Sequence, residues 1–139
     1  MKNRIYLFFL LIAFVLFGIY SKTSAQYISK KTDKPTNVIV HGAWGGSWAF
    51  KEVANILSKQ GYTVYRPSLT GLGERVHLGG PDVNLTTHIN DVVNTVLFEE
   101  LDNVMLIGHS YGGMVITGVQ DKIPDRIKHL IYLDAFLPE

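Results

Sequence analysis

The sequence predicts an α/β fold from residue 37 onward, a parallel sheet of about four strands with helices on both faces. Three observations carry this. Short continuous apolar runs, such as Val38-Ile39-Val40 and Val104-Met105-Leu106-Ile107, suit strands buried on both sides rather than on one. Segments with apolar residues at helical spacing alternate with those runs, and strand–helix alternation of this length implies right-handed βαβ units. Two of the strand ends also lead into glycine-rich turns, the places where such sheets carry their sites.

In order, Asn37 to Val40 is the first strand, leading into His41-Gly42-Ala43-Trp44-Gly45-Gly46-Ser47-Trp48. From Trp48 to Gln60, the residues Ala49, Val53, Ile56 and Leu57 recur at helical spacing, and Gly61 supplies the stop. Tyr62 to Arg66 reads as a second strand ended by Pro67. Ser68 to Asn84 is a loop longer than usual connections, which marks it as functional or mobile. Ile89, Val92, Val93, Val96 and Leu97 follow the amphipathic template of a second helix. Val104 to Ile107 is the third strand. A helix follows from Met114 to Lys122, Pro124 breaks it, and Ile127 to Leu133 is the fourth strand. The expected sheet order is second, first, third, fourth. That leaves the apolar fourth strand as an open edge prone to self-association.

The N-terminal residues are set apart from this domain. Lys2 and Arg4 precede an apolar run from Ile5 to Tyr20, followed by Ser21-Lys22-Thr23-Ser24-Ala25. A basic start, an apolar stretch and small residues form an export signal, expected to be cut between Ala25 and Gln26. A membrane anchor is the alternative, but the apolar run rises only ~24 Å as a helix against a hydrocarbon core of ~30 Å, which favours a cleaved signal and no stable membrane insertion after cleavage. Residues 26–36 are polar and read as a linker. The first 25 residues carry Lys2, Arg4 and Lys22 and no acid, so the chain from Gln26 holds ten basic against 12 acidic residues. No basic stripe supports nucleic-acid binding. The absence of cysteine excludes disulfides, thiol catalysis and cysteine-based metal sites. No histidine pair has metal-ligand spacing, and no cofactor is implied.

Gly108-His109-Ser110-Tyr111-Gly112-Gly113 lies between a strand and a helix, the context of a G-x-S-x-G nucleophile elbow. The turn would hold Ser110 in a strained conformation, and the glycines would admit backbone where a Cβ would collide. The bland alternative is a glycine-rich turn with an incidental serine. His41 to Gly46, after the neighbouring strand, suits a loop that offers a backbone N–H to an oxyanion. A phosphate-binding loop is the rival. It lacks G-x-G-x-x-G and G-K-[ST] spacing, and the next strand ends in Arg66-Pro67 rather than in a ribose-binding acid.

From Asn37 to Glu139 the chain resembles the front half of an α/β-hydrolase, and within it the small esterase group of methylesterases and hydroxynitrile lyases. The resemblance rests on His41-Gly42-Ala43-Trp44 with Trp48, on Arg66 to Arg75, on the elbow, and on Tyr132 to Pro138. It implies Ser110 as nucleophile, Ala43 and Tyr111 as oxyanion donors, and a small carboxylic ester as substrate. A hydroxynitrile-lyase-type reaction and a catalytically inactive binding or interaction fragment are the alternatives. In the family the acid and then the histidine follow the nucleophile, and this chain stops short of both usual positions. The expectation is therefore an N-terminal half without its catalytic base.

The histidines present do not fill the gap in sequence terms. His129 falls early in a parallel strand, ~16 Å below the sheet's carboxyl edge. His41 sits beside the elbow but is expected to hold the oxyanion loop through a backbone hydrogen bond rather than act as base. His109 is expected to pack, while His77 and His88 are expected to be solvated or to brace the long loop. Asp134 falls where some lipases of the superfamily place their acid, although an aspartate capping the loop after a strand is the commoner role. Trp44 and Trp48 would either line an acyl pocket or cover the end of the sheet.

Overall fold

The computed structural model describes residues 34–138, so the expected export signal and residues 26–33 of the expected linker lie outside the described residues. Four parallel strands form one sheet: β1 (Thr36–Val40), β2 (Val64–Tyr65), β3 (Val104–Ser110) and β4 (Ile127–Ala135), in the order β2-β1-β3-β4. Three α-helices connect them, α1 (Lys51–Lys59), α2 (Leu85–Phe98) and α3 (Gly112–Lys122). Right-handed crossovers dictate their placement. The chain steps one way from β1 to β2 and then back across β1 to β3 and β4. Helices on opposite steps must therefore lie on opposite faces.

The core follows that logic. Val38 and Val40 of β1 and Val104 and Leu106 of β3 meet Val92 and Val96 of α2 and Val115, Ile116 and Val119 of α3 in one buried cluster. Ile39, alternate in the strand and 2% exposed, points to the other side, where α1 lies with only Ala54 buried. Val53 and Ile56 of α1 stay exposed, as do Ile131 and Leu133 of β4. Of the described strands, β4 pairs with β3 alone, so it is the edge that the apolar pattern implied.

Several boundaries differ from expectation for identifiable reasons. The second strand shrinks from residues 62–66 to Val64–Tyr65. The Tyr62 N–H returns to Leu57 O at 3.1 Å to close α1, and the Arg66 guanidinium turns away to Ser47 O at 2.5 Å. The first helix opens with a 3-10 turn, Ser47–Phe50. The second begins at Leu85, directly after the expected loop end at Asn84, which caps it: its Oδ1 accepts the Thr87 N–H, and Thr87 Oγ1 accepts the Asn84 N–H. The expected linker loses its last residue to β1, which starts at Thr36.

The long loop is neither shapeless nor loose. Gly73–Leu78 forms a 3-10 helix, and side chains fasten the loop at both ends, as described below. Gly73, at φ +51, packs so closely that a Cβ there would lie 2.6 Å from Gly46 Cα. The loop thus rests directly on the segment that follows β1.

Candidate active site

The chain reverses its stepping direction between β1 and β3, and ligands of open α/β sheets bind outside the strand ends at such a switch point. The loop after β1 and the turn after β3 meet here. Ser110 ends β3 with φ +52, a left-handed conformation that costs a non-glycine residue about 1–3 kcal/mol and persists only where its surroundings enforce it. They do so by contact. A Cβ at Gly108 would lie 2.6 Å from Gly112 O, and one at Gly112 would lie 2.6 Å from Val40 O. At Gly113 a Cβ would meet Phe136 O at 2.1 Å.

A hydrogen bond fixes the next peptide. Phe136 N–H donates to Ser110 O at 3.0 Å. A trans peptide points its C=O and N–H in opposite directions within one plane, so this bond also aims the Tyr111 N–H. Neither that N–H nor the Ala43 N–H has a hydrogen-bond partner among the described residues. Ala43 and Ser110 line a common recess of about 300 Å³ with Gly42, Gly45, Phe50 and His109. His109 packs edge-on against Phe50, ring centroids 5.7 Å apart.

His41 is 1% exposed and uses both ring nitrogens. Leu69 N–H donates to Nε2 at 3.1 Å, so the proton sits on Nδ1, which donates to Gly42 O at 2.7 Å. Burial holds its pKa below the ordinary imidazole value, with the Gly42 carbonyl opposing. It bolts the loop after β1 to the long loop, and it has no lone pair left to take a proton from Ser110.

A second set of bonds surrounds it. Ser68 Oγ donates to Glu74 Oε1 at 2.5 Å and accepts the Ser47 N–H at 2.8 Å; Ser47 Oγ donates to the same Glu74 oxygen at 3.0 Å. The Ser68 hydroxyl, before other causes, holds the Glu74 carboxyl below its usual range. Ser68 and Glu74 belong to the Arg66–Arg75 segment that carries the resemblance, but nothing in the spacing of these residues reveals that the two loops touch.

Asp134 lies one residue before the end of β4. It is the extra residue of a β-bulge: His109 pairs with Leu133 and Ser110 with Ala135, so Asp134 has no opposite number. It takes φ +44, and β4 continues past it, so it caps no loop. The bulge keeps β4 in register with the elbow and sets Asp134, Ala135 and Phe136 around a separate recess of about 210 Å³ that Ser110 also lines. No histidine accompanies it there. His129 lies opposite Met105, at the other end of β3 from Ser110. Trp44 and Trp48 line neither recess and are 94% and 62% exposed. Among the described residues no cluster of ligating side chains suits a metal ion.

A model described as the alpha/beta hydrolase family matches residues 38–139. The chain belongs to the alpha/beta hydrolase family. Among its relatives within that family is the carbendazim hydrolyzing esterase of a Nocardioides species, 56% identical over 102 residues, covering 73% of this chain and 42% of that protein. Methylesterase 2 of Arabidopsis thaliana is 29% identical over 126 residues, covering 81% and 43%. An extracellular alpha/beta-hydrolase from a Paenibacillus species superposes with a TM-score of 0.71 at 36% identity, covering 76% of this chain and 43% of that one. The chain thus spans less than half the length of these alpha/beta hydrolases.

Proposed function

We propose that this chain carries the nucleophile and the oxyanion loop of a serine esterase that acts on small carboxylic esters through an acyl-enzyme on Ser110. The observation that carries this reading is the left-handed Ser110 at the switch point, beside a recess it shares with Ala43. Strain of that kind persists where the fold enforces it. Ala43 and Tyr111 supply the N–H groups that would hold the developing oxyanion. The names of the similar proteins, a carbendazim hydrolyzing esterase and a methylesterase, support an ester substrate.

The chemistry also sets the expected rate. The Ser110 hydroxyl makes no hydrogen bond to a histidine among the described residues, and general-base assistance contributes roughly 10²–10⁴-fold. A fluorophosphonate is therefore expected to form a slow adduct on Ser110, faster when free imidazole is supplied as base. Intact-mass and peptide mass spectrometry read the adduct. It is expected to vanish in Ser110→Ala. An adduct on another residue, or none with imidazole present, would exclude the acyl-enzyme in this chain. Saturable ester binding without any adduct would favour the binding-module alternative.

Export is part of the same proposal, supported by the basic, apolar and small-residue order of the first 25 residues. The protein recovered from outside the cytoplasm is expected to begin at Gln26 on N-terminal sequencing. Recovery with Met1 intact would refute cleavage.

A further inference from the structure

The proposed oxyanion donor at Tyr111 is tethered by its side chain to a part of the molecule the reaction would not touch. Tyr111 follows Ser110 directly, and its ring stands edge-on to His88 of α2, centroids 5.6 Å apart at 84°. His88 is 7% exposed, and both of its nitrogens are engaged. Nε2 lies 2.9 Å from Thr70 O. A carbonyl only accepts, so Nε2 carries the proton. Nδ1, 2.8 Å from the Tyr111 hydroxyl, is then the acceptor, and Tyr111 Oη–H donates to it. The tautomer is set by the backbone of the long loop.

Thr70 is held from its other side as well. Its N–H donates to Asp91 Oδ2 at 2.6 Å and its hydroxyl to Asp91 Oδ1 at 2.9 Å. His88 and Asp91 are three apart on α2 and share a face. Between them they take the N–H, the C=O and the hydroxyl of one threonine. Arg75 stands 3.8 Å from Asp91 and donates to Ser68 O at 2.8 Å. The result is a continuous line of bonds from the long loop through α2 to the residue after the nucleophile.

We propose that His88 is a positioning residue, which holds Tyr111 through its hydroxyl so that the peptide joining Ser110 to Tyr111 keeps its orientation beside the nucleophile. This rests on the acyl-enzyme reading above. That peptide has two independent restraints. Phe136 N–H holds its carbonyl, and the Tyr111–His88 bond holds the residue that bears its N–H. Each restrains the peptide against the relaxation that the strained Ser110 favours. An oxyanion donor acts only as charge develops. Loosening it therefore slows the covalent step and leaves reversible binding unchanged.

The test compares Tyr111→Phe, His88→Asn and His88→Leu with the unsubstituted chain. The asparagine carbonyl can replace Nδ1 as acceptor; leucine cannot. Imidazole-assisted fluorophosphonate labelling is followed against reagent concentration, so that the binding constant and the maximal rate separate. Amide hydrogen exchange is followed at Phe136, whose N–H is bonded to the carbonyl of that peptide. Loss of one buried hydrogen bond predicts a roughly fivefold to tenfold fall in maximal rate for Tyr111→Phe and His88→Leu. The binding constant stays unchanged, and Phe136 exchange rises by a similar factor. His88→Asn recovers most of both. A uniform loss in the His88 variants that asparagine does not recover, or Tyr111→Phe matching the parent in rate and exchange, overturns the proposal. If the parent takes no label, the acyl-enzyme reading fails by itself. The Phe136 exchange rates then decide whether the tether fixes this peptide.

Discussion

Gly113→Ala is expected to be among the most damaging single substitutions in the chain, costing at least ~3 kcal/mol of stability and with it the shape of the elbow. The new Cβ would sit 2.1 Å from Phe136 O and 2.9 Å from Ala135 Cβ. The first of these is backbone and cannot rotate aside. Relief requires either lifting the end of β4 or sliding α3, and both movements break the Phe136 N–H bond to Ser110 O. Alanine gains up to ~1 kcal/mol in helix propensity over glycine, well short of that cost. Gly80→Ala is the control. Nothing lies within 4 Å of a Cβ there and its φ is not positive, so a change within ~0.5 kcal/mol is expected. Urea denaturation of the two variants decides the matter. Equal midpoints would mean that β4 does not press on the elbow in solution.

The second large effect belongs to His41. His41→Leu keeps an apolar body in the site but strands the Leu69 N–H, on a fully buried residue, and leaves the Gly42 C=O only the longer bond from the Gly45 N–H at 3.4 Å. An orphaned buried group costs about 1–3 kcal/mol, so a loss of that order is expected. A pH signature accompanies it. Burial lowers the folded-state pKa of His41, while the unfolded chain titrates near the ordinary value of about 6.5. Between the two pKa values the unfolded state binds more protons, so stability rises with pH in that window. The contribution is complete above about 6.5 and is lost as pH falls through the folded pKa. Urea midpoints measured from about pH 8 down to about pH 5 are expected to decline more steeply in the parent than in His41→Gln, which cannot titrate. Parallel profiles would refute the buried neutral imidazole.

How much of this was legible beforehand depends on whether a feature is local. The sheet order and the elbow were legible because Val38 to Val40, Val104 to Ile107 and the Gly108–Gly113 turn are each written in consecutive residues. The boundary at Asn84 is written locally too, where the expected loop ends, with threonine in place of the usual acid at the third helical position. The length of β2 was over-read because Val64 and Tyr65 look like the middle of a longer strand. Only the tertiary demand on Arg66 reveals that they are all of it.

The site divides along the same line. His41 was expected to hold its loop, and it does, but its second partner, Leu69, belongs to a contact that no periodicity announces. His88 was expected to be solvated or to brace the long loop, and it is buried. It bonds Thr70 there, while its bond to Tyr111 depends on how α2 lies across the sheet. The bulge at Asp134 was invisible for a different reason. Leu133-Asp134-Ala135 reads equally well as the end of a strand or as a strand with one residue too many. Only the register against His109 and Ser110 separates the two.

The clasp between Phe136 and the elbow has a consequence in time. β3 and α3 adjoin in the chain and can begin to form together. The bend at Ser110, however, is completed only when β4 has docked and its end has crossed over Gly113. Such non-local closures come late in folding, and sheet edges with few buried contacts open early in native fluctuations. The Ser110 geometry therefore shares the lifetime of the outermost of the described strands rather than that of the valine core beneath it.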